Sequence, residues 1–270
     1  MLNLLITGNS GFIGSYIDKY FQNRFNCHGV SKSTGTDISN FKELEKINFS
    51  PDIIIHNAAY LGEDIEECFN TNVLGTLNIC KFASQNKVKH LILISSISVY
   101  ENNKNQYYGN YAMTKKQAEE LAISYCKTHK INLTILRFSQ IYDIAGKAET
   151  SQPMLYKFIK TIQEKKSITI YGKINPIRSY IHINDVLLTI EDIINKELLG
   201  IYNVVNEESH TIVDIANIIF NLEGIKENIL FDKSKQNIPS IYIPSDNKYC
   251  SSFKFTNLTD GIKEIIQYAK

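Results

Sequence analysis

Three glycines near the N-terminus constrain the fold more than any other feature. Met1 to Gly14 reads Met-Leu-Asn-Leu-Leu-Ile-Thr-Gly-Asn-Ser-Gly-Phe-Ile-Gly. Leu2 to Ile6 is a short apolar run that suits a parallel strand covered on both faces. It stops at Thr7-Gly8, and Phe12, Ile13, Tyr16, Ile17, Tyr20 and Phe21 follow at helical spacing. Gly8, Gly11 and Gly14 therefore fall in a strand-to-helix turn. Gly8 permits the tight turn, Gly11 the approach of a pyrophosphate to the backbone, and Gly14 the packing of helix on strand. With Asn9, Ser10, Phe12 and Ile13 they form a phosphate cradle at a helix N-terminus, whose N–H groups and partial positive charge favour an anion. The pattern predicts an α/β chain with a Rossmann-type, doubly wound parallel sheet that holds a dinucleotide.

At 270 residues the chain has room for one large α/β domain and a smaller lobe. The rhythm of elements puts a dinucleotide-binding domain at 1–143 and a substrate-binding lobe at 144–270, with 177–205 returning to the first. Lys and Arg number 29 against 28 Asp and Glu, a net charge of +1. No global field draws the chain to nucleic acid or to an acidic membrane. Cys27, Cys68, Cys80, Cys126 and Cys250 are scattered without metal-ligand spacing and suit reduced thiols. No apolar run approaches a membrane span, and a strand starting at Leu2 leaves no room for a signal peptide. The expectation is a cytoplasmic protein with no metal.

Cys27 to Val30 reads as the second strand and leads into Ser31 and Lys32. Many NAD-binding sheets end this strand on an acid that holds the adenine ribose. A hydroxyl and a cation here tilt the cofactor toward NADP, although Lys32 reads equally well as a solvated loop residue. Asp37 and Ile38 are placed beside the adenine, with Asp37 alternatively a cap before a helix at Asn40 to Ile47. Asp52 to Ala59 is a buried strand ending in small residues, so that a cofactor can lie across Asn57, Ala58 and Ala59. His56 reads as scaffold. Glu66 to Gln85 has helical periodicity, with Asn72 and Gly75 passing behind the cofactor. His90 to Ser96 is a fourth strand. A polar loop, Glu101 to Asn110, leads to a helix from about Tyr111, and Leu133 to Phe138 is a fifth strand. Beyond Tyr142 the sequence predicts helices at Met154 to Gln163, up to Ile194, from the cap Thr211, and at Asp260 to Tyr268. Strands are predicted at Ile168 to Tyr171 and Ile201 to Val205.

Tyr111 and Lys115 lie four apart at the start of a helix and so share a face. A phenol ordinarily titrates near about 10, and a neighbouring ammonium is expected to lower it. Lys115 can also bond a nicotinamide ribose, and Ser96 a substrate oxygen. Together they suit hydride transfer at a carbinol or ketone, with Tyr111 exchanging the proton. Tyr107 and Tyr108 have no lysine four residues on.

The chain resembles the extended short-chain dehydrogenases/reductases of the NAD-dependent epimerase/dehydratase family. The resemblance rests on Thr7 to Gly14, His56 to Ala59, Asn72 to Thr76, Ser95 to Tyr100, Tyr111 to Lys115, Leu136 to Phe138 and Arg178 to Asp185. It implies that Ser96, Tyr111 and Lys115 are catalytic, and that Asn72 and Phe138 belong to the cofactor site. It also implies that Arg178 clamps the substrate diphosphate, a task suited to guanidinium. Gln140 stands where many members have an asparagine for the same diphosphate, and His182 and Asp185 are structural.

Ile97-Ser98 follows Ser96 where dehydratases of the family have Asp-Glu, which argues against 4,6-dehydration. Ile97 also stands where epimerase-reductases have a cysteine, which argues against 3,5-epimerisation. The resemblance thus implies NAD(P)H-dependent reduction of a nucleotide-diphospho-4-keto sugar, by a homodimer built on the helices at 66–85 and 111–128. The alternatives are an NAD-dependent nucleotide-sugar 4-epimerase and a non-catalytic dinucleotide sensor.

Overall fold

The computed structural model describes residues 1–100 and 107–268, so residues 101–106 of the expected polar loop lie outside the described residues. In its first half β1 (Asn3–Thr7), α1 (Phe12–Phe21), β2 (Asn26–Val30), the short α2 (Phe41–Leu44) and β3 (Ile53–His56) follow one another. Next come α3 (Ile65–Cys68), a π-helical stretch Phe69–Leu74, α4 (Gly75–Gln85), β4 (His90–Ser96), α5 (Asn110–His129) and β5 (Asn132–Phe138). The second half holds β6 (Gln140–Tyr142), α6 (Pro153–Gln163), β7 (Ile168–Tyr171), β8 (Ile177–Arg178), β9 (Tyr180–His182) and α7 (Ile183–Asn195). It ends with β10 (Gly200–Val204), β11 (His210–Thr211), α8 (Ile212–Glu223), β12 (Ile229–Asp232) and α9 (Leu258–Tyr268).

Six strands form one sheet in the order β10-β5-β4-β3-β1-β2, every neighbouring pair parallel. Leu4, Leu5 and Ile6 of β1 are all fully buried, as a strand covered on both faces requires. On one face α1 and α7 pack Ile17, Phe21, Val186, Ile190 and Ile193 against Leu4, Ile6, Ile53 and Ile55. On the other, α4 and α5 bring Ile79, Phe82, Ala122 and Cys126 against Leu5, Ile54 and Leu91. The chain leaves β1 for β2 on one side and crosses back to β3 on the other. The direction of winding thus reverses between β1 and β3, and the crevice beyond their carboxyl ends is the site this architecture offers to a ligand.

A second apolar cluster lies under α6, α8 and α9, beside three small strand pairs, β6 with β9, β7 with β12 and β8 with β11. Of these, β7 coincides with the strand expected at Ile168 to Tyr171, whereas β6, β8, β9 and β11, of two or three residues each, are too brief to show in a periodicity reading. The α2 segment forms a single turn instead of the expected helix to Ile47. The helix expected over Glu66 to Gln85 starts one residue earlier, capped by Asp64 accepting from Glu66 N and Glu67 N, and contains the π turn. Thr211 and Asp214 form the reciprocal cap expected for α8. After β12 the chain touches β10 at one isolated bridge, Asn203 with Lys248, where Asn203 N donates to Asn247 O at 2.7 Å and Tyr249 N to Asn203 O at 2.9 Å. Among the described residues no helix is long and apolar enough to cross a membrane.

Helix α9 is seated on Tyr142 through Gly261, where a Cβ would stand 1.8 Å from the Tyr142 hydroxyl oxygen. Alanine is the better helix former by about 1 kcal/mol, yet Gly261→Ala is expected to lower stability by about 1–3 kcal/mol through overpacking. Urea unfolding measures it, and an unchanged or higher midpoint would show that Tyr142 moves aside freely.

Candidate functional site

The turn after β1 is fixed by contacts that only glycine allows. Gly8 has φ +69°, and a Cβ on it would meet Ala58 Cα at 2.8 Å. A Cβ on Gly14 would lie 2.0 Å from the Gly8 carbonyl oxygen. Gly8 N donates to Val30 O at 2.7 Å and Gly11 N to Gly8 O at 3.0 Å. Helix α1 begins with Gly11 as N-cap and no side-chain cap, so Phe12 and Ile13 present the bare first turn that an anion would use. Asn9 packs over Gly29, and its buried Oδ1 has no hydrogen-bond partner. A close backbone, an uncapped helix start and an orphaned polar atom fit a dinucleotide pyrophosphate.

Behind this cradle runs a closed polar relay. Asn57 N and Ala58 N both donate to Thr7 Oγ1 at 3.1 Å, and Ala59 continues the small-residue floor. Thr7 Oγ1 lies 2.7 Å from His56 Nδ1, and His56 Nε2 lies 3.0 Å from Thr76 Oγ1. The Thr76 hydroxyl donates to Asn72 O at 2.6 Å. Because that carbonyl can only accept, Thr76 must accept from His56 Nε2–H, and Thr7 must donate to Nδ1. Burial holds the imidazole neutral, its pKa lowered to about 3, with the Lys115 ammonium acting in the same direction. His56 locks the ends of β1 and β3 to the helix behind them.

Several expected cofactor residues turn elsewhere. Asn72 Oδ1 accepts from Tyr60 N at 2.8 Å, and its Nδ2 donates to Tyr60 O and Thr114 Oγ1, each at 3.0 Å. Its amide is spent on holding the loop after β3 against α5, so it shapes the site from behind. The Ile38 side chain is in the core, where it occupies the space left by the missing Cβ of Gly75. Phe138 is 2 % exposed within the core under α1 and α7. For these two only the backbone is available to a ligand. At the end of β2, Ser31 caps the short turn Lys32–Thr34, and Ser33 Oγ donates to Ser10 Oγ at 2.8 Å. Lys32 pairs with Asp37 at 3.3 Å. Asp37 also accepts from Ser39 N and Oγ at 2.9 and 2.7 Å, whereas the N-cap of α2 is Asn40.

Ser96 ends β4, and its Oγ accepts from Ser98 N at 3.2 Å. Helix α5 runs alongside and presents Tyr111 and Lys115 on one face. Lys115 is 1 % exposed and donates to Ile94 O at 2.7 Å. The sequence reading expects this ammonium to acidify the phenol; the structure reverses the sign. Burial pushes Tyr111 up to about 12, with Cys68 and Glu119 adding to the rise. Burial also pulls Lys115 down to about 8, against an opposing pull from Glu119. Desolvation is the largest cause of both shifts and disfavours each charged form.

On the lobe side, Arg178 is 4 % exposed and bonded only to neutral oxygens. Its Nη1 reaches Ile177 O and Pro239 O at 2.8 Å each, and its Nη2 reaches the Tyr107 hydroxyl at 3.1 Å. No carboxylate pairs with it among the described residues. Gln140 donates to Gln152 at 2.8 Å, while its buried Oε1 and the buried hydroxyl of its register neighbour Tyr180 have no partner. Asp185 accepts from Thr256 N at 2.8 Å and tethers the lobe. His182 caps α7. The sequence reading missed Thr7, Thr76 and Glu119 as organisers. The signal for Glu119 was its place one helical turn beyond Lys115. The threonine relay appears only once the strands are aligned.

Residues 4–204 match the model of the NAD dependent epimerase/dehydratase family. The chain is 26 % identical over 254 residues to a UDP-glucuronate 4-epimerase of Thermodesulfobacterium geofontis, covering 87 % of this chain and 78 % of that one. Its fold is similar to that of a UDP-glucose 4-epimerase of Thermus thermophilus in complex with NAD (TM-score 0.78, 19 % identity, 99 % and 98 % of the two chains). It is equally similar to a dTDP-4-dehydrorhamnose reductase of Bacillus anthracis in complex with NADP (TM-score 0.78, 20 % identity, 98 % of each).

Gly14→Ala is expected to weaken NAD(P)H binding at least about tenfold, because the Gly8 carbonyl must move out of the cradle. Fluorescence titration of the dinucleotide measures this, and unchanged affinity refutes it. A second outcome concerns acid. The folded pKa of His56 lies below the ordinary 6.5, so the unfolded chain binds the extra proton. Stability is therefore lost as pH falls from 6.5 toward 3, by about 1.4 kcal/mol per pH unit for this one group. His56→Gln is expected to flatten the acid limb of a denaturation profile by that slope. A limb of unchanged steepness contradicts the assignment.

Proposed function

As an NAD(P)-dependent enzyme of the NAD dependent epimerase/dehydratase family, to which this chain belongs, it acts, we propose, on the 4-keto group of a nucleotide-diphospho-(6-deoxy)sugar, reducing it to the alcohol. The observation that carries this reading is the placement of Ser96 at the end of β4 and of Tyr111 and Lys115 one turn apart on α5, at the carboxyl end of the sheet that also holds the glycine turn. A protonated phenol is the form in which a reduction must start. The bound dinucleotide supplies the hydride. Ser96 holds the sugar oxygen by a second hydrogen bond, Lys115 holds the ribose edge, and Tyr111 delivers the proton to the oxygen as it gains charge. The unpaired, buried Arg178 guanidinium, with Gln140 beside it, suits the diphosphate.

Ser10, Ser31, Ser33 and Lys32 place hydroxyls and an ammonium at the end of β2, chemistry that supports NADP over NAD. The scattered free thiols suit the cytoplasm. Ile65 and Phe69, four apart on one helix, and Ile123 of α5 are exposed, which supports pairing of two copies through these helices. A second reading, an NAD-dependent 4-epimerase in which Tyr111 would act in turn as base and acid, is supported by the similarity to a UDP-glucuronate 4-epimerase. Oxidation of NADPH by a nucleotide-diphospho-4-keto sugar supports the reductase. Interconversion of a UDP-sugar with tightly held NAD and no net cofactor turnover supports the epimerase.

In that assay Tyr111→Phe is expected to lower turnover by about 10²–10⁴-fold while dinucleotide binding is retained. Full turnover by this variant would refute the assignment of the proton donor.

A further inference from the structure

In the extended run from β8 into β9, Arg178 and Tyr180 fall on one side by strand alternation. Ser179 between them turns the other way, its hydroxyl donating to that of Ser139 at 3.4 Å. In the parallel register of β6 and β9, Gln140 stands beside Tyr180. Gln140, Arg178 and Tyr180 are thus neighbours on adjoining strands, and the arginine and tyrosine are buried.

Each of the three has hydrogen-bonding capacity that the chain leaves unmet. Arg178 uses Nη1 on Ile177 O and Pro239 O and one hydrogen of Nη2 on the Tyr107 hydroxyl. Its Nε–H and the other Nη2–H have no partner among the described residues. The buried Tyr180 hydroxyl has none, nor does the buried Gln140 Oε1. Packing explains the Tyr180 ring, which meets Tyr142 edge to face at 6.0 Å. It does not explain the hydroxyl, since phenylalanine would fill the same space without an orphaned polar atom. Burial raises the Tyr180 phenol and the Arg178 charge works against that rise, so the hydroxyl keeps its hydrogen and has it to give. Gln140 donates Nε2 to Gln152 at 2.8 Å. If the two amides exchange roles their bond is kept, and the Gln140 Nε2 comes to stand where Oε1 is. Donors gathered around a permanent positive charge suit a group rich in acceptors and poor in hydrogens, the chemistry of a phosphate.

We infer that the Tyr180 hydroxyl is a further binding group for the substrate, donating to a phosphate oxygen of the diphosphate that Arg178 holds. The inference rests on the diphosphate role proposed for Arg178. Tyr107 stands between Arg178 and solvent, its ring centre 5.9 Å from the guanidinium and its side chain exposed. A phosphate oxygen is a stronger acceptor for guanidinium than a phenol, so the diphosphate displaces Tyr107 from Nη2 and reaches the donors behind it.

The test is calorimetric titration of the full chain with UDP and with dTDP, beside a titration with NADPH and urea unfolding. Tyr180→Phe is expected to weaken the tighter of the two nucleoside diphosphates by about tenfold or more. Its NADPH affinity is expected to stay as in the parent chain, and its urea midpoint to stay or rise, because the variant loses an orphaned hydroxyl and no packing. A structural hydroxyl would instead lower the midpoint. A lowered midpoint, an unchanged diphosphate affinity, or a loss shared equally by NADPH overturns the inference. Arg178→Gln separates it from the reading beneath it. Weaker diphosphate binding in Arg178→Gln but not in Tyr180→Phe removes this inference alone. A parent chain that binds neither nucleotide, or an Arg178→Gln chain that binds as tightly as the parent, removes the diphosphate site and this inference together. Weakening by both variants in a chain that reduces no 4-keto sugar leaves the inference standing and removes the proposed reaction.

Discussion

The approach of Gly14 to the Gly8 carbonyl is the constraint on which the rest of the structure depends. It brings α1 onto β1 without a side chain between them, and Ala58 closes on Gly8 from β3. With the helix start this near the strand ends, its first turn stands uncapped at the point where the sheet reverses direction. The relay from Thr7 through His56 to Thr76 then ties those two strand ends to the helix behind them. The floor of the site is therefore built from contacts within the chain itself.

Above that floor, desolvation sets the chemistry. The same burial that raises the Tyr111 phenol lowers the Lys115 ammonium, so each group favours its neutral form. Arg178 follows a different logic. Its charge is permanent, and the surrounding carbonyls satisfy its donors without neutralising it.

The glycine turn, the five parallel strands β1 to β5, and the place of Tyr111 and Lys115 on one helix were legible in the sequence because each has a short-range signature. Period, glycine spacing and the i, i+4 relation are all local. What was not legible depended on partners distant in the chain. Asn72 reads either as part of the cofactor site or as a partner for buried backbone groups, and only the fold, in which Tyr60 and Thr114 use its amide, decides for the second. Ile38 and Phe138 face the core because Gly75 and the helices over the sheet leave room for them. The sign of the shift on Tyr111 could not be read from spacing, since spacing reveals the neighbouring ammonium but not the depth at which both groups are buried. The small strands β6, β8, β9 and β11 span only two or three residues each, too few to establish an alternation.

The sixth strand has a consequence for how the chain acquires this shape. β5 ends at Phe138, but its outer neighbour β10 begins only at Gly200, after α6, α7 and the small strands have intervened. Until that segment emerges from the ribosome, β5 carries an open row of backbone donors and acceptors next to an apolar surface, a template for adhesion to other nascent chains. Completing the sheet requires closure of a long loop, a slow step in folds dominated by distant contacts. The stretch around Asn247 and Tyr249 then covers β10 at Asn203, so the outer edge of the sheet is blunted only by residues that follow every strand of it in the chain.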